Sequence, residues 1–283
     1  MSTIARSNRI HCKTEYGILK RVLVVQPSFM KIAEVINETQ KHYAERNIDI
    51  PLALRQHEDF VKLMREHGAE VDEISADPDL PEQVFTRDIA FVIHNELHVS
   101  SLREHVRIQE TNHLIQWLQD QSIPYQGNFP SSIEGGDVLV HNQIVWLGIS
   151  GRTSLESSEH LQQRLPDHQV IPLMLRKDIL HLDCVFNILD EKTALVYSPA
   201  FTEEGLDHIH SHFEIIPVTE EEQFYMGPNV LSIGDKKVIS LSKNERLNAR
   251  MEAAGFHILP LDFSEIIKSG GSFRCCTLPL ERG

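Results

Sequence analysis

Apolar and polar residues alternate in short runs that recur as two-strand hairpins with brief polar turns: DIAFVIHNELHVS from Asp88, DVLVHNQIVWLGIS from Asp137, DCVFNILDEKTALVYS from Asp183 and NVLSIGDKKVISLS from Asn229. The starts lie 49, 46 and 46 residues apart, and one more step of 46 reaches Cys275. A repeat of this length marks an array of similar units. Each hairpin is followed by a segment of helical character, such as REHVRIQETNHLIQWLQ or NERLNARMEAAG, the second stopped by Gly255 as a C-cap. A further strand then returns around a proline: Ile123-Pro124-Tyr125, Ile171-Pro172-Leu173, Ile216-Pro217-Val218 and Leu259-Pro260-Leu261. Proline lacks an amide donor, so these strands belong at strand ends or sheet edges.

The first unit departs from this scheme. RVLVVQPS reads as a strand, PLALRQHEDFVKLMREHG as a helix opened by Pro51 and closed by Gly68, and AEVDEIS as a returning strand without proline. The last strand, CCTLPL, has no downstream partner and pairs most simply with RVLVV, closing a ring of about five ββαβ units. The predicted fold is α/β, a five-unit propeller with a pseudo-fivefold ring, in a single domain over residues 1–283. No Gly/Ser-rich linker or low-complexity run divides it.

Charge narrows the choice of partners. With 27 Lys+Arg against 41 Asp+Glu the chain carries a formal net charge of -14, a field that opposes nucleic acid and welcomes cationic small molecules. No apolar run approaches the ~18 to 20 residues that a membrane span needs. The opening MSTIARSNRIHCK has no stretch resembling a signal peptide. The expectation is a soluble cytoplasmic protein with a small-molecule substrate, no nucleic-acid or membrane partner, and homo-oligomerisation left open. Four cysteines, two of them adjacent, make neither a disulfide scaffold nor a paired CxxC zinc site.

In a ring, equivalent hairpin starts meet near the axis, which brings together Asp88, Asp137, Asp183, Asn229 and Cys275. Crowded carboxylates repel one another unless a cation sits among them, and the substrate is the natural cation. Glu134, in SIEGGDV, and His181, in LHLDCVF, stand beside these positions. The set is a nucleophile with a proton shuttle. A metal held by Asp88, Glu134, His181 and Asp183 is the weaker alternative, because compact ligand spacing is lacking. His208, His210 and His212 read as a solvated helix face, and EGGD and GGSF lack the continuation of a phosphate loop. Trp117 and Trp146 read as core.

At these residues the sequence resembles the guanidino-group-modifying enzymes of the pentein fold, which include dimethylarginine dimethylaminohydrolase, arginine deiminase and the amidinotransferases. The landmarks are VFTRD at 84–88, IEGGDVL at 133–139, GISGRTS at 148–154, LHLD at 180–183 and GGSFRCCTLPL at 270–280. The resemblance implies Cys275 as nucleophile, His181 as general acid/base, and Glu134 and Asp88 as carboxylates around the substrate guanidinium. It implies that Arg152 grips the substrate carboxylate, that Arg107 assists it, and that Glu82 lies near the substrate. Asp137 joins the substrate-binding set from its axial position.

The chemistry is coherent on its own terms. A planar guanidinium offers five donors in a fixed fork to carboxylates, and a thiolate can add to its central carbon. Loss of an amine protonated by His181, then attack by water, gives a ureido product such as citrulline, with no metal or organic cofactor required. Strand neighbours point to opposite faces, so one of Cys275 and Cys276 faces the site; the 46-residue step and the family pattern favour Cys275. Asp183 is the pattern of deiminases and amidinotransferases, and a carboxylate there would need NH donors that a dimethylated nitrogen lacks. The chain is short for an arginine deiminase with its helical insertion. Transfer of the amidino group to an amine, and a non-catalytic binding protein on the same fold, are the alternative functions.

Overall fold

The computed structural model describes residues 9–283; the first eight positions of the polar opening segment, read above against a targeting leader, lie outside the described residues. The strands fall into five small sheets. Leu278–Arg282, Leu19–Val25 and Glu70–Ile74 form one, in which Leu19–Val25 pairs antiparallel with the last strand and parallel with Glu70–Ile74. The expected pairing of the chain's end with RVLVV is therefore present, but the strand begins at Leu278 instead of at CCTLPL, so Cys275 and Cys276 lie in the turn before it and not on a strand.

The repeated hairpins supply the other four. Val138–His141, Ile144–Ile149 and Gln169–Met174 make a sheet of an antiparallel hairpin plus a parallel third strand. Phe186–Ile188, Thr193–Val196 and Glu214–Pro217 repeat it, as do Leu231–Gly234, Lys237–Leu241 and His257–Leu261. Pro172, Pro217 and Pro260 all sit in the third, edge strand, where the missing amide costs no ladder bond. Positive φ at both Asp235 (50°) and Lys236 (58°) matches the right-handed twist of a two-residue hairpin turn.

One expectation fails. Ile123-Pro124-Tyr125 is not a strand, and the sheet of Ala90–Ile93 and Glu96–Val99 has two strands only. The returning chain meets it at a single bridge, His98 with Gln126, because Pro124 withholds its amide and Ser122 and Asn128 turn the backbone to positive φ on either side.

The crossovers are helices at Ile50–Glu66, Ile108–Asp120, Glu156–Arg164, Glu203–His210 and Glu245–Ala253. Asp49 caps the first through the Leu52 amide at 3.0 Å, Pro51 opens it and Gly68, at φ 90°, follows its end. Its Phe60 packs on Phe263 and Phe273, with ring centroids 5.3 and 5.2 Å away, and thereby braces the turn that carries Cys275. Phe60→Ala should cost about 3–5 kcal/mol of stability, seen as a lower urea midpoint with unchanged slope. Trp146 is fully buried and Trp117 half-buried. No helix among the described residues is long and apolar enough to cross a membrane.

Candidate active site

The turn before each hairpin holds one of the equivalent positions, and neighbouring turns are bonded to one another. The Arg87 amide donates to the Cys275 carbonyl at 3.0 Å, and the Cys275 amide to Asn229 Oδ1 at 3.0 Å. Asn229 Nδ2 donates to the Asp183 carbonyl at 3.3 Å, and the Leu182 amide to Asp137 Oδ1 at 2.8 Å. A Cβ on Gly136 would come within 2.8 Å of Asp88 Oδ1 and of the His181 ring, so only glycine lets these turns approach.

Cys275 is buried in the wall of a narrow cleft with about 10 Å³ of free space. Its Sγ receives a hydrogen bond from Asn229 Nδ2 at 3.0 Å and lies 3.5 Å from Asp183 Oδ2. Contact with the Cys184 thiol, burial and the Asp183 carboxylate hold the Cys275 thiol well above its ordinary pKa. The resting sulfur is therefore a thiol. Cys276 is fully buried in the apolar core and does not line the cleft.

His181 stands on the same cleft with a carboxylate against each ring nitrogen: Glu134 Oε2 is 2.7 Å from Nε2, and Asp88 Oδ1 is 3.6 Å from Nδ1. Burial alone would discharge the imidazolium, but Asp88, Asp137 and Glu134 outweigh it and raise His181 well above its ordinary pKa. Glu134, despite burial, is held low by its bond to His181 and by the charges of His181, Arg152 and Arg107. Its other oxygen accepts from the Arg103 amide at 3.1 Å. Glu134 does not line the cleft, and its contact is with the imidazole.

Three further candidates are engaged by protein groups. Asp183 Oδ2 lies 3.5 Å from Cys275 Sγ and accepts from Arg274 Nη1 at 2.7 Å, so its charge is shared with a buried guanidinium. Asp137 is behind the wall, accepting from the Leu182 amide and from Ser150 Oγ, and burial raises its pKa to about 7. Arg107 reaches the cleft, but its fork is engaged with Asp88 Oδ2 at 2.6 Å and Glu110 Oε2 at 2.8 Å, which leaves it placing Asp88 instead of gripping a carboxylate. Glu110 has a sequence signal, three residues after Arg107 on a helical turn. Arg274 has only its place before Cys275.

Arg152 and Glu82 do line the cleft. Arg152 Nη2 donates to the Ile36 carbonyl at 3.3 Å, Nε lies 3.5 Å from Glu104 Oε1, and Nη1, without a hydrogen-bond partner among the described residues, lies 3.6 Å from Glu134 Oε2. Arg152 also borders an outer chamber of about 250 Å³ shared with Lys177, Ile36 and Asn37. Glu82 accepts from Gln40 Nε2 at 2.8 Å and Ser269 Oγ at 3.0 Å, and burial raises its pKa to about 7. Asn37, Gln40 and Ser269 thus fasten one segment across the cleft, a contact made from three separate parts of the chain that no local pattern signals. A larger cavity of about 700 Å³ lies against the helix Ile50–Glu66 and is lined by no cysteine, serine or threonine.

Asp88, Glu134 and His181 converge closely enough, within 4.8 Å, to suit a metal ion. Their electrostatics suit a proton equally: an imidazolium is hydrogen-bonded to Glu134 at 2.7 Å and ion-paired with Asp88 Oδ1 at 3.6 Å, which leaves that oxygen without a hydrogen bond. His208 and His210 are exposed on the helix Glu203–His210 as expected, whereas His212 lies beyond its end, half-buried with its ring centroid 5.0 Å from that of Trp146.

A family model described as N,N dimethylarginine dimethylhydrolase, eukaryotic, matches residues 26–282. The uncharacterized protein YkgA of Bacillus subtilis is 46% identical over 272 residues, covering 96% of this chain and 95% of its own length. N(G),N(G)-dimethylarginine dimethylaminohydrolase of Mycobacterium tuberculosis is 28% identical, covering 92% and 86%. In fold, the N-terminal domain of ArgZ, an arginine dihydrolase from Cyanobacteria solved with product, superposes with a TM-score of 0.85 at 24% identity, over 93% of this chain and 97% of that one. The mixed α/β fold is thus that of a solved family.

Proposed function

Since the chain belongs to the N,N dimethylarginine dimethylhydrolase family, we propose that it is a cysteine-dependent hydrolase of the guanidino group of arginine or an N-methylated arginine. Its products are citrulline and an amine or ammonia. The observation that carries this reading is Asp88 Oδ1, a buried carboxylate oxygen without a hydrogen-bond partner, in a cleft shared with one free thiol and one imidazole. A buried acceptor left open in this way calls for a donor from the ligand. In this reading the five sheets are the blades of one pseudo-fivefold domain, supported by the turn-to-turn bonds and by the pairing of the last strand with Leu19–Val25.

The substrate guanidinium donates to Asp88 Oδ1, and its α-carboxylate meets Arg152. The incoming cation offsets the anionic surroundings of Cys275, whose proton leaves to solvent. Sγ then adds to the central carbon, and His181 Nδ1, the ring nitrogen turned to Asp88 and the cleft, protonates the departing amine. An amidino-thioether on Cys275 remains, its central carbon still bonded to the side-chain nitrogen of the substrate. The same nitrogen, now neutral, takes a proton from water as it attacks that carbon; the carbon–sulfur bond breaks and the ureido product leaves.

Mass spectrometry of the protein incubated with arginine, mono- or dimethylarginine in ¹⁸O water tests this. The expected result is a ureido product carrying one ¹⁸O and, on acid quench, an amidino adduct on Cys275. Product without ¹⁸O, with the amidino group found on added glycine, would mean transfer instead of hydrolysis. Neither product nor adduct from any of these guanidines would sink the reading in favour of a binding protein.

A further inference from the structure

The repeat places Asp88, Asp137 and Asp183 at successive equivalent positions and then changes to Asn229, before Cys275. The change from acid to amide falls on the turn whose side chain donates a hydrogen bond to the sulfur. Asn229 is fully buried, and both ends of its amide are used. Oδ1 accepts from the backbone amides of Cys275 at 3.0 Å and Ser272 at 3.1 Å, while Nδ2 donates to Cys275 Sγ at 3.0 Å. The turn itself is pinned by Asn187, whose Nδ2 donates to the carbonyls of Pro228 and Val230 on either side, each at 2.8 Å.

From this geometry we propose that Asn229 is a positioning residue for the nucleophile: it fixes the Cys275 backbone through Oδ1 and supports a negative sulfur through Nδ2. The assignment rests on, and deepens, the reading of Cys275 as nucleophile. The other groups around the sulfur supply the reason. Asp183 lies 3.5 Å away with its charge shared by Arg274, Cys184 adds a second thiol at that carboxylate, and Asp88 and His181 line the same cleft. An Asp at 229 would set another anion against the thiolate and remove its hydrogen bond together. The acids at 88 and 183 each have a guanidinium against them, Arg107 and Arg274, and Asp137 a backbone amide, whereas the side chain at 229 meets the sulfur and bonds to no cation among the described residues.

Alkylation of Cys275 by iodoacetamide across pH, followed by mass spectrometry on the full chain, reads the sulfur directly and needs no substrate. Asn229→Asp keeps the side chain's size and its acceptor toward both backbone amides. It should slow Cys275 alkylation at pH 8 by roughly tenfold or more and displace the profile to higher pH by about one unit. Asn187→Ala loosens the same turn without touching Cys275 and should leave the profile in place. Should Asn229→Asp fail to fold, Asn229→Ser makes the same comparison. A variant profile that superimposes on the parent's, or equal slowing in Asn187→Ala, would overturn the proposal. A parent protein that alkylates as described but turns over no guanidine would defeat the hydrolase reading alone, leaving Asn229 to be decided by the alkylation.

Discussion

Cys275→Ser should lower guanidine turnover on the order of 10⁴-fold or more, because an alcohol in this anionic setting has no accessible nucleophilic form. Nothing else lining the cleft can replace it: Cys276 points into the core and Cys184 sits behind Asp183. The variant should still bind, since Asp88 and Arg152 are untouched, and arginine should raise its Tm as it does the parent's. Cys276→Ala should keep the parent's rate at some cost in stability. An amidino adduct that forms on Cys276, or undiminished turnover by Cys275→Ser, would refute the assignment of the nucleophile.

His181→Asn should cost about 10²–10⁴-fold in turnover, the usual range for a group that moves a proton in the transition state. The pH dependence has a definite sign. Asp88, Asp137 and Glu134 overcome burial and raise the folded-state pKa of His181, so its imidazolium contributes stability that is fully present below the unfolded value, about 6.5, and is lost as pH rises through the raised folded value. The acid that protonates the leaving amine is therefore present throughout the neutral range and disappears only on the alkaline side. A ¹⁵N-histidine spectrum should show His181 doubly protonated at pH 7.5, and Glu134→Gln should bring its titration down toward neutral. A parent His181 that titrates near pH 6.5 would contradict this account. Substrate binding pulls the same way as Glu134→Gln: a guanidinium on Asp88 takes up part of the negative charge that holds the proton, which readies the neutral imidazole for the attack of water.

Much of this arrangement was legible in the chain because periodicity survives folding. The hairpin interval placed Asp88, Asp137, Asp183, Asn229 and Cys275 at equivalent turns, and those turns are bonded to one another in the structure. The prolines of the returning strands were placed at edges by a missing donor, which holds wherever Pro172, Pro217 and Pro260 fall. The exception, Pro124, shows the limit: a strand pattern two or three residues long yields to the positive-φ residues around it.

The roles within the circle were less legible. Asp88, Asp137 and Asp183 look alike in sequence, yet only Asp88 presents an open oxygen to the cleft. Asp183 is claimed by Arg274, 91 residues away, and Asp137 by a backbone amide and Ser150. Arg107 could be read as a free cation until Glu110 and Asp88 filled its fork. By itself the sequence determined which groups would meet, because spacing and strand propensity are local properties repeated along the chain. Only the tertiary structure decided which of them remain free to act, because a buried donor or acceptor is available only if no group from a distant segment has already satisfied it.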